Sequence, residues 1–111
     1  MTKSQRADRR QLERERYQLR LEFEWLYDVV LAILAEHDPI GIAFHPTEYD
    51  PEVRTILPRL GEAAKIEDLT GILHEEFVRW FSPRTAGPPA RYQPIAEQIW
   101  EAYLWWSDGG G

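Results

Sequence analysis

Pro39 and Pro51 bracket the segment that constrains this chain most. Proline disfavours the helical region for the residue before it, so a helix arriving from the N-terminal side ends near His37 or Asp38. Asp50-Pro51-Glu52 carries the opposite signal. It offers an Asp side chain able to accept from orphan amides, a proline whose missing N–H costs nothing in a first turn, and an acid at a positive helix end. A second helix is therefore predicted from Pro51 with Asp50 as its N-cap. Its capping box is incomplete, because the third helical position is Val53 and not Glu or Gln. Between the two prolines, Ile40, Ile42 and Phe44 alternate with Gly41 and Ala43. That alternation predicts an extended segment laid apolar side inward over a core. Gly41 marks a positive φ or a close backbone approach.

The same segment holds three carboxylates (Asp38, Glu48, Asp50), Tyr49 between two of them, and His45 close by. As architecture, Asp50 caps a helix, a role worth about 1 kcal/mol, Asp38 ties down a turn, and Tyr49 packs beside the helix start. As a binding loop, Asp38, Glu48, Tyr49 and Asp50 are the candidate residues, with Glu48 and Tyr49 standing out because no cap requires them. Asp38-Pro39-Ile40-Gly41, followed by Glu48-Tyr49-Asp50 and a helix, resembles a pattern in small bacterial helical proteins of unknown function, the YugE-like family. The resemblance covers mainly residues 38 to 60. It implies an all-α fold and no assigned chemistry. The chain departs from the pattern in its basic N-terminal extension and its tryptophan-rich end.

With 111 residues, 43% of them hydrophobic, the chain has material for one domain and one core. It has no cysteine, so neither disulfides nor thiolate chemistry enter. The start, Met1-Thr2-Lys3-Ser4-Gln5-Arg6, has no apolar stretch of the secretory kind. The longest apolar run, Val29 to Ala35, is far too short to span a bilayer. The expectation is a cytoplasmic protein with no membrane partner. Net charge is −6, unevenly spread: residues 1–20 carry seven Lys/Arg against three Asp/Glu, and the rest six against sixteen. A basic arm thus precedes an acidic body, which repels nucleic acid and favours basic partners.

Taken in order, the chain is predicted to be an all-α bundle of three to four helices with a long N-terminal helix. From Ser4 to His37 there is neither proline nor glycine, and a single helix is predicted, about 50 Å long at 1.5 Å per residue. Leu19, Phe23, Leu26, Tyr27, Val30, Ile33, Leu34 and His37 form its inner face. Leu12, Leu19, Leu26 and Ile33 also fall seven apart, a coiled-coil seam interrupted by Arg16. The division expected is a basic helical extension over 1–18, an acidic helical domain over 19–107 and a flexible glycine tail over 108–111. Helix two ends or kinks at Pro58. Helix three spans Glu67 to Phe81, with Gly71 inside it hinting at a closely passing backbone. Ser82 to Pro89 is a turn-rich linker. Helix four runs from Ala90 or Gln93 to Trp106, with Ile95, Ala96, Ile99, Trp100, Tyr103 and Trp106 inward.

Chemistry finds little support in these residues. His74-Glu75-Glu76-Phe77-Val78 lacks the second histidine of a zinc-binding helix at Val78. Ser4, Ser82 and Ser107 sit at termini or in the linker, and no glycine-rich loop opens a helix. No catalytic residue, metal or cofactor is therefore assigned. Trp80-Phe81 and Leu104-Trp105-Trp106 place large side chains about 100° apart on a helix, too widely for one core stripe. Trp105 and Trp106 join the candidate binding residues. The expectation is a non-catalytic protein-interaction module with a basic protein partner, in its most specific form an immunity-like protein neutralising a basic toxin. The alternatives are a homo-oligomeric structural protein, such as a homodimer, assembling through the first helix, and a small metal-dependent enzyme using the acidic loop 38–50.

Overall fold

The computed structural model describes residues 9–110. The predicted helix start at Ser4, the arm over 1–8, the place of Leu12 in the seam, and Gly111 lie outside the described residues. Among the described residues the regular structure is all helical: α1 (Arg9–Phe23), α2 (Trp25–His37), α3 (Asp50–Ile56) passing into a 3-10 helix (Leu57–Glu62), α4 (Ile66–Trp80), the single turn α5 (Pro83–Ala86), a second 3-10 helix (Pro89–Tyr92) and α6 (Gln93–Ser107). The all-α bundle is as the sequence predicts.

The bundle is built around α6, which packs on both α2 and α4, while α3 lies against α4 and α2 and α1 lies across α2 and α3. Its centre is Leu26, Val30 and Leu34 of α2, Val53 and Ile56 of α3, Leu69, Leu73 and Phe77 of α4, and Ile95 and Ile99 of α6, all at most 1% exposed. Burial of each such side chain contributes about 1.5–3 kcal/mol. α4 has Glu67 and Asp68 in its first turn and Arg79 in its last, which suits the helix dipole. Pro58 sits where α3 has already tightened into the 3-10 helix, the early end expected of it. Pro94 lies in the first turn of α6.

The predicted single first helix is two helices. Glu24 breaks it, with φ 55 and ψ −131, backbone angles that only glycine adopts without strain. Strain of that kind costs about 1–3 kcal/mol. Tertiary contacts across the bend account for it: Arg20 pairs with Asp28 at 2.7 Å and lies over the Tyr27 ring, Phe23 packs on Trp106, and Trp106 donates from Nε1 to Glu24. Glu15 and Arg16 dock on α3, so the end of the predicted 1–18 extension does not overhang the domain.

Other differences are local. Asp50 is not an N-cap; Tyr49 holds that position without a side-chain cap bond, and the Asp50 carboxylate turns inward instead. Phe44 does not face the core: it is 82% exposed, while Ile40 and Ile42 do pack against it. Gly41 has φ +72, but a Cβ there meets nothing, so conformation and not crowding selects it. Gly71 likewise meets nothing within 4 Å, which removes the reading of a closely passing backbone. The linker is ordered: Ser82 caps α5 by accepting from the Thr85 amide, and Ala86 and Tyr92 are buried. Gly109 and Gly110 fold back at the end of α6, where Gly110 N donates to Trp105 O and Gly110 O accepts from Trp25 Nε1 at 3.1 Å.

Two glycines thus answer oppositely to alanine. Gly71→Ala raises helix propensity in open space, and stability should rise by about 0.5–1 kcal/mol. Gly87 has φ +78, and a Cβ there lies 2.4 Å from the Arg91 guanidinium. Gly87→Ala should lower stability by about 1–2 kcal/mol through the left-handed backbone alone, with more lost if Arg91 leaves the Ala86 and Pro39 carbonyls. Denaturant unfolding of both variants reads the two signs.

Candidate functional site

The loop between α2 and α3 is organised by one carboxylate. Asp38 takes the left-handed conformation at the end of α2, φ 47 and ψ 59, with its amide donating to Leu34 O. An aspartate tolerates this better than most residues. Its Oδ1 accepts from the amides of Ile42 and Ala43 at 2.8 and 3.0 Å and from the Tyr49 hydroxyl at 2.6 Å. The Tyr49 hydroxyl in turn accepts from the Ile40 amide at 3.3 Å. One Asp and one Tyr therefore satisfy three loop amides that have no helix to join. These bonds hold the Asp38 carboxyl below its ordinary range, the Tyr49 hydroxyl foremost and the Ala43 and Ile42 amides next, against burial. Tyr49 is fully buried, and burial first, then its bond to Asp38, pushes its phenol well above the usual tyrosine value.

A second carboxylate joins three helices. Asp50, 3% exposed, accepts from the Tyr27 hydroxyl on Oδ1 and from Arg16 on Oδ2, with Arg16 nitrogens at 2.6 and 2.7 Å. Burial opposes the Arg16 charge, but Asp50 more than restores it, and the guanidinium is held above its ordinary value. Burial and then Asp50 push the Tyr27 phenol far up. Beside this junction Arg54 pairs with Glu15 and lies over the Trp80 ring, whose Nε1 donates to Thr55 at 2.9 Å. A third cluster ties the 3-10 helix to α4: Arg59 reaches Glu62, Glu75 and the buried Glu76 at 3.1, 3.0 and 2.8 Å. Glu62 first, then Glu76 and Glu75, raise its pKa against burial.

The six residues singled out from sequence therefore fall into two sets. Tyr49 and Asp50 are buried and engaged inside the domain, while Asp38 is half-buried with its Oδ1 engaged by the loop. Glu48 is half-buried beside them. Trp105 and Trp106 lie at the far end, on α6. Trp106 is half-buried, stacked near Tyr103 and Phe23. Trp105 is 63% exposed, tilted at 60° to Trp25 with ring centres 5.8 Å apart, and it borders a shallow groove with Gln98, Glu101 and Ala102. Sequence reasoning missed Phe44, presented outward by the loop that Asp38 and Tyr49 hold. It also missed Arg16, Arg54 and Arg59 as internal partners. One signal was available: Arg16 sits at an apolar seam position, where a cation needs a buried acid opposite it.

Chemically, the arrangement offers fixed rings and outward carboxylates. Among the described residues no group of three or more His, Asp or Glu side chains is placed to hold a metal ion. No described helix is long and apolar enough to cross a membrane. Comparison of the chain with family models, curated proteins and solved structures returns no match.

The lowered Asp38 pKa fixes a sign. A carboxyl whose folded pKa lies below its unfolded value, about 3.9, binds fewer protons folded than unfolded between the two, so its stabilisation is present above the unfolded value and lost as pH falls through the folded one. Asp38→Asn keeps the shape, suits the left-handed backbone and removes the charge. Melts of the variant should show stability lower by about 1 kcal/mol at neutral pH and a shallower loss than wild type below about pH 4.

Proposed function

We propose that the protein is a non-catalytic protein-interaction module whose partner is a basic protein. The observation that carries this reading is the exposure of large rings at rigidly held positions, Phe44 at 82% and Trp105 at 63%. Trp105 packs beside Trp25 and against Gly110, and the backbone leading into Phe44 is tied to Asp38 through the Ala43 amide. Rigid aromatics at an interface lose little freedom on binding and are common anchors. The surrounding surface supports a cationic partner. Beyond residue 20, Glu22, Glu36, Glu67, Glu97, Glu101 and Asp108 are exposed against four exposed cations, Lys65, Arg79, Arg84 and Arg91, while the exposed Asp28 is paired with Arg20.

In its most specific form the module is immunity-like, an acidic protein that occludes the cationic surface of a basic toxin. Opposite charge speeds such an encounter, and buried rings then hold it. The likeness of residues 38–60 to YugE-like proteins is compatible with this, since that family implies helices and no chemistry. The metal-enzyme alternative has less to draw on, because Asp50 is buried with both oxygens committed to Tyr27 and Arg16. A coiled coil through the first helix does so too, because Leu26 and Ile33 belong to the chain's own core.

The reading is tested on a partner captured from host lysate and then purified. Phe44→Ala or Trp105→Ala should weaken its binding at least tenfold, about 1.4 kcal/mol, without moving the melting temperature by more than a degree or two. The association rate should fall steeply with ionic strength. Binding indifferent to both substitutions and to salt would overturn it.

A further inference from the structure

Glu24 is a good helix former inside a stretch that contains neither glycine nor proline from Ser4 to His37. Its backbone is nevertheless held at φ 55 and ψ −131. The bend persists because α1 is docked, at the hinge through Arg20 on Asp28 and Tyr27 and through Phe23 on Trp106, and further along through charge pairs. Arg16 sits on Asp50 and Glu15 on Arg54. Among the described side chains of α1 only Phe23 is buried, with Leu19 partly so, while Tyr17 and Leu21 are 62% and 60% exposed. The seam itself stays open, a groove with Arg14, Glu15, Gln18 and Leu19 on one wall and Arg54 and Pro58 on the other. A helix held this way is joined to the bundle through a strained hinge, the contacts of Arg20 and Phe23 beside it, and two charge pairs beyond.

The geometry points to α1 as an arm that two copies of this chain exchange. With Glu24 helical, α1 and α2 become one continuous helix over residues 9–37, about 43 Å long at 1.5 Å per residue. Its N-terminal half then leaves its own bundle and lays Glu15 and Arg16 on Arg54 and Asp50 of a second copy. That copy returns the same contacts, so the dimer closes with two-fold symmetry and without a new interface chemistry. The occupant of the vacated α3 surface is fixed by complementarity: a basic residue for Asp50 and an acidic one for Arg54, spaced one residue apart on a helix, as Arg16 and Glu15 are. Relief of the Glu24 backbone favours the exchanged form, and the lost freedom of two chains opposes it, so concentration decides between them. This inference is independent of the basic-partner reading, which concerns Phe44 and Trp105.

The test uses the full chain refolded from denaturant at high and low concentration, with mass read by light scattering after size exclusion. Wild type refolded at high concentration should yield a fraction at twice the single-chain mass of 13.1 kDa. Glu24→Gly relaxes the bend and weakens the straight helix, so it should cut that fraction roughly tenfold or more. Wild type with no dimer at any concentration, or a dimer unchanged by Glu24→Gly, overturns the proposal. A second arm mixes Glu15→Arg with Arg54→Glu. Each alone places like charges together, in the closed chain and in an exchanged homodimer alike, whereas the exchanged heterodimer rebuilds an opposite pair at both sites. Co-refolding should give heterodimer even if neither variant folds well alone. A mixture that stays at single-chain mass, or that fails to fold, overturns it. The doubly reversed chain, Glu15→Arg/Arg54→Glu, restores the pair internally and should behave as wild type; should it instead fail to fold, the comparison of wild type with Glu24→Gly decides.

Discussion

The buried Asp50 carboxylate is the constraint on which the rest of this fold turns. It lies at the first residue of α3, receives the Tyr27 hydroxyl from α2 and the Arg16 guanidinium from α1, and so joins three helices that share little apolar surface at that point. A carboxylate taken out of water costs several kcal/mol unless its oxygens are satisfied. Here both are, one by a neutral hydroxyl and one by a cation that still reaches solvent, Arg16 being 35% exposed. The cation therefore keeps part of its hydration while compensating the buried anion. That asymmetry lets α1, with only Phe23 buried among its described side chains, still have one position across α2 and α3. It also explains why the chain tolerates a strained backbone at Glu24, since the bend is what brings Arg16 within reach.

Asp38 solves a different problem with the same side chain. The loop after α2 has amides with no helical partner, and a chain of this size has little room for waters to satisfy them under a packed surface. Asp38 gathers two of them and Tyr49 a third, and the tyrosine ring fills the core against Phe77. These bonds set the path of the loop through Ala43, and Phe44 follows on its outer side, 82% exposed. The exposed ring thus follows from the buried hydrogen bonds.

Much of this was legible from the residues. The end of α2 at Asp38, the tightening of α3 before Pro58, the span of α4 and the inner face of α6 followed from proline restrictions and helical periodicity, because each is a local rule that tertiary packing had no reason to override. The failures share one cause. Helix propensity at Glu24 favours continuity, and the alternation around Phe44 favours burial, but a bend and an outward ring depend on which distant residue is near: Asp50 for Arg16, Tyr49 for Asp38. Periodicity carries no information about such pairings. Asp50 as an N-cap was a sound inference from Asp-Pro-Glu and still gave way, since a cap worth about 1 kcal/mol competes poorly with a buried charge that needs two partners. For the candidate site the same limit holds. The acidic loop was visible, but whether its carboxylates faced water or protein was not.

That distinction sorts the acids of the chain into two populations with different jobs. Asp38, Asp50 and Glu76 are spent on internal donors and set the positions of α2, α3 and α4. Glu97 and Glu101 on α6 and Asp28 on α2 are exposed, and α6 contains no lysine or arginine to offset its own. The cations divide likewise. Arg16, Arg54 and Arg59 are drawn partly inward to Asp50, Glu15 and Glu76, so charges of both signs leave the surface together. The negative sign of the surface is therefore the one that composition sets, −6 over the chain, and it is concentrated where α6 carries acids with no cation of its own.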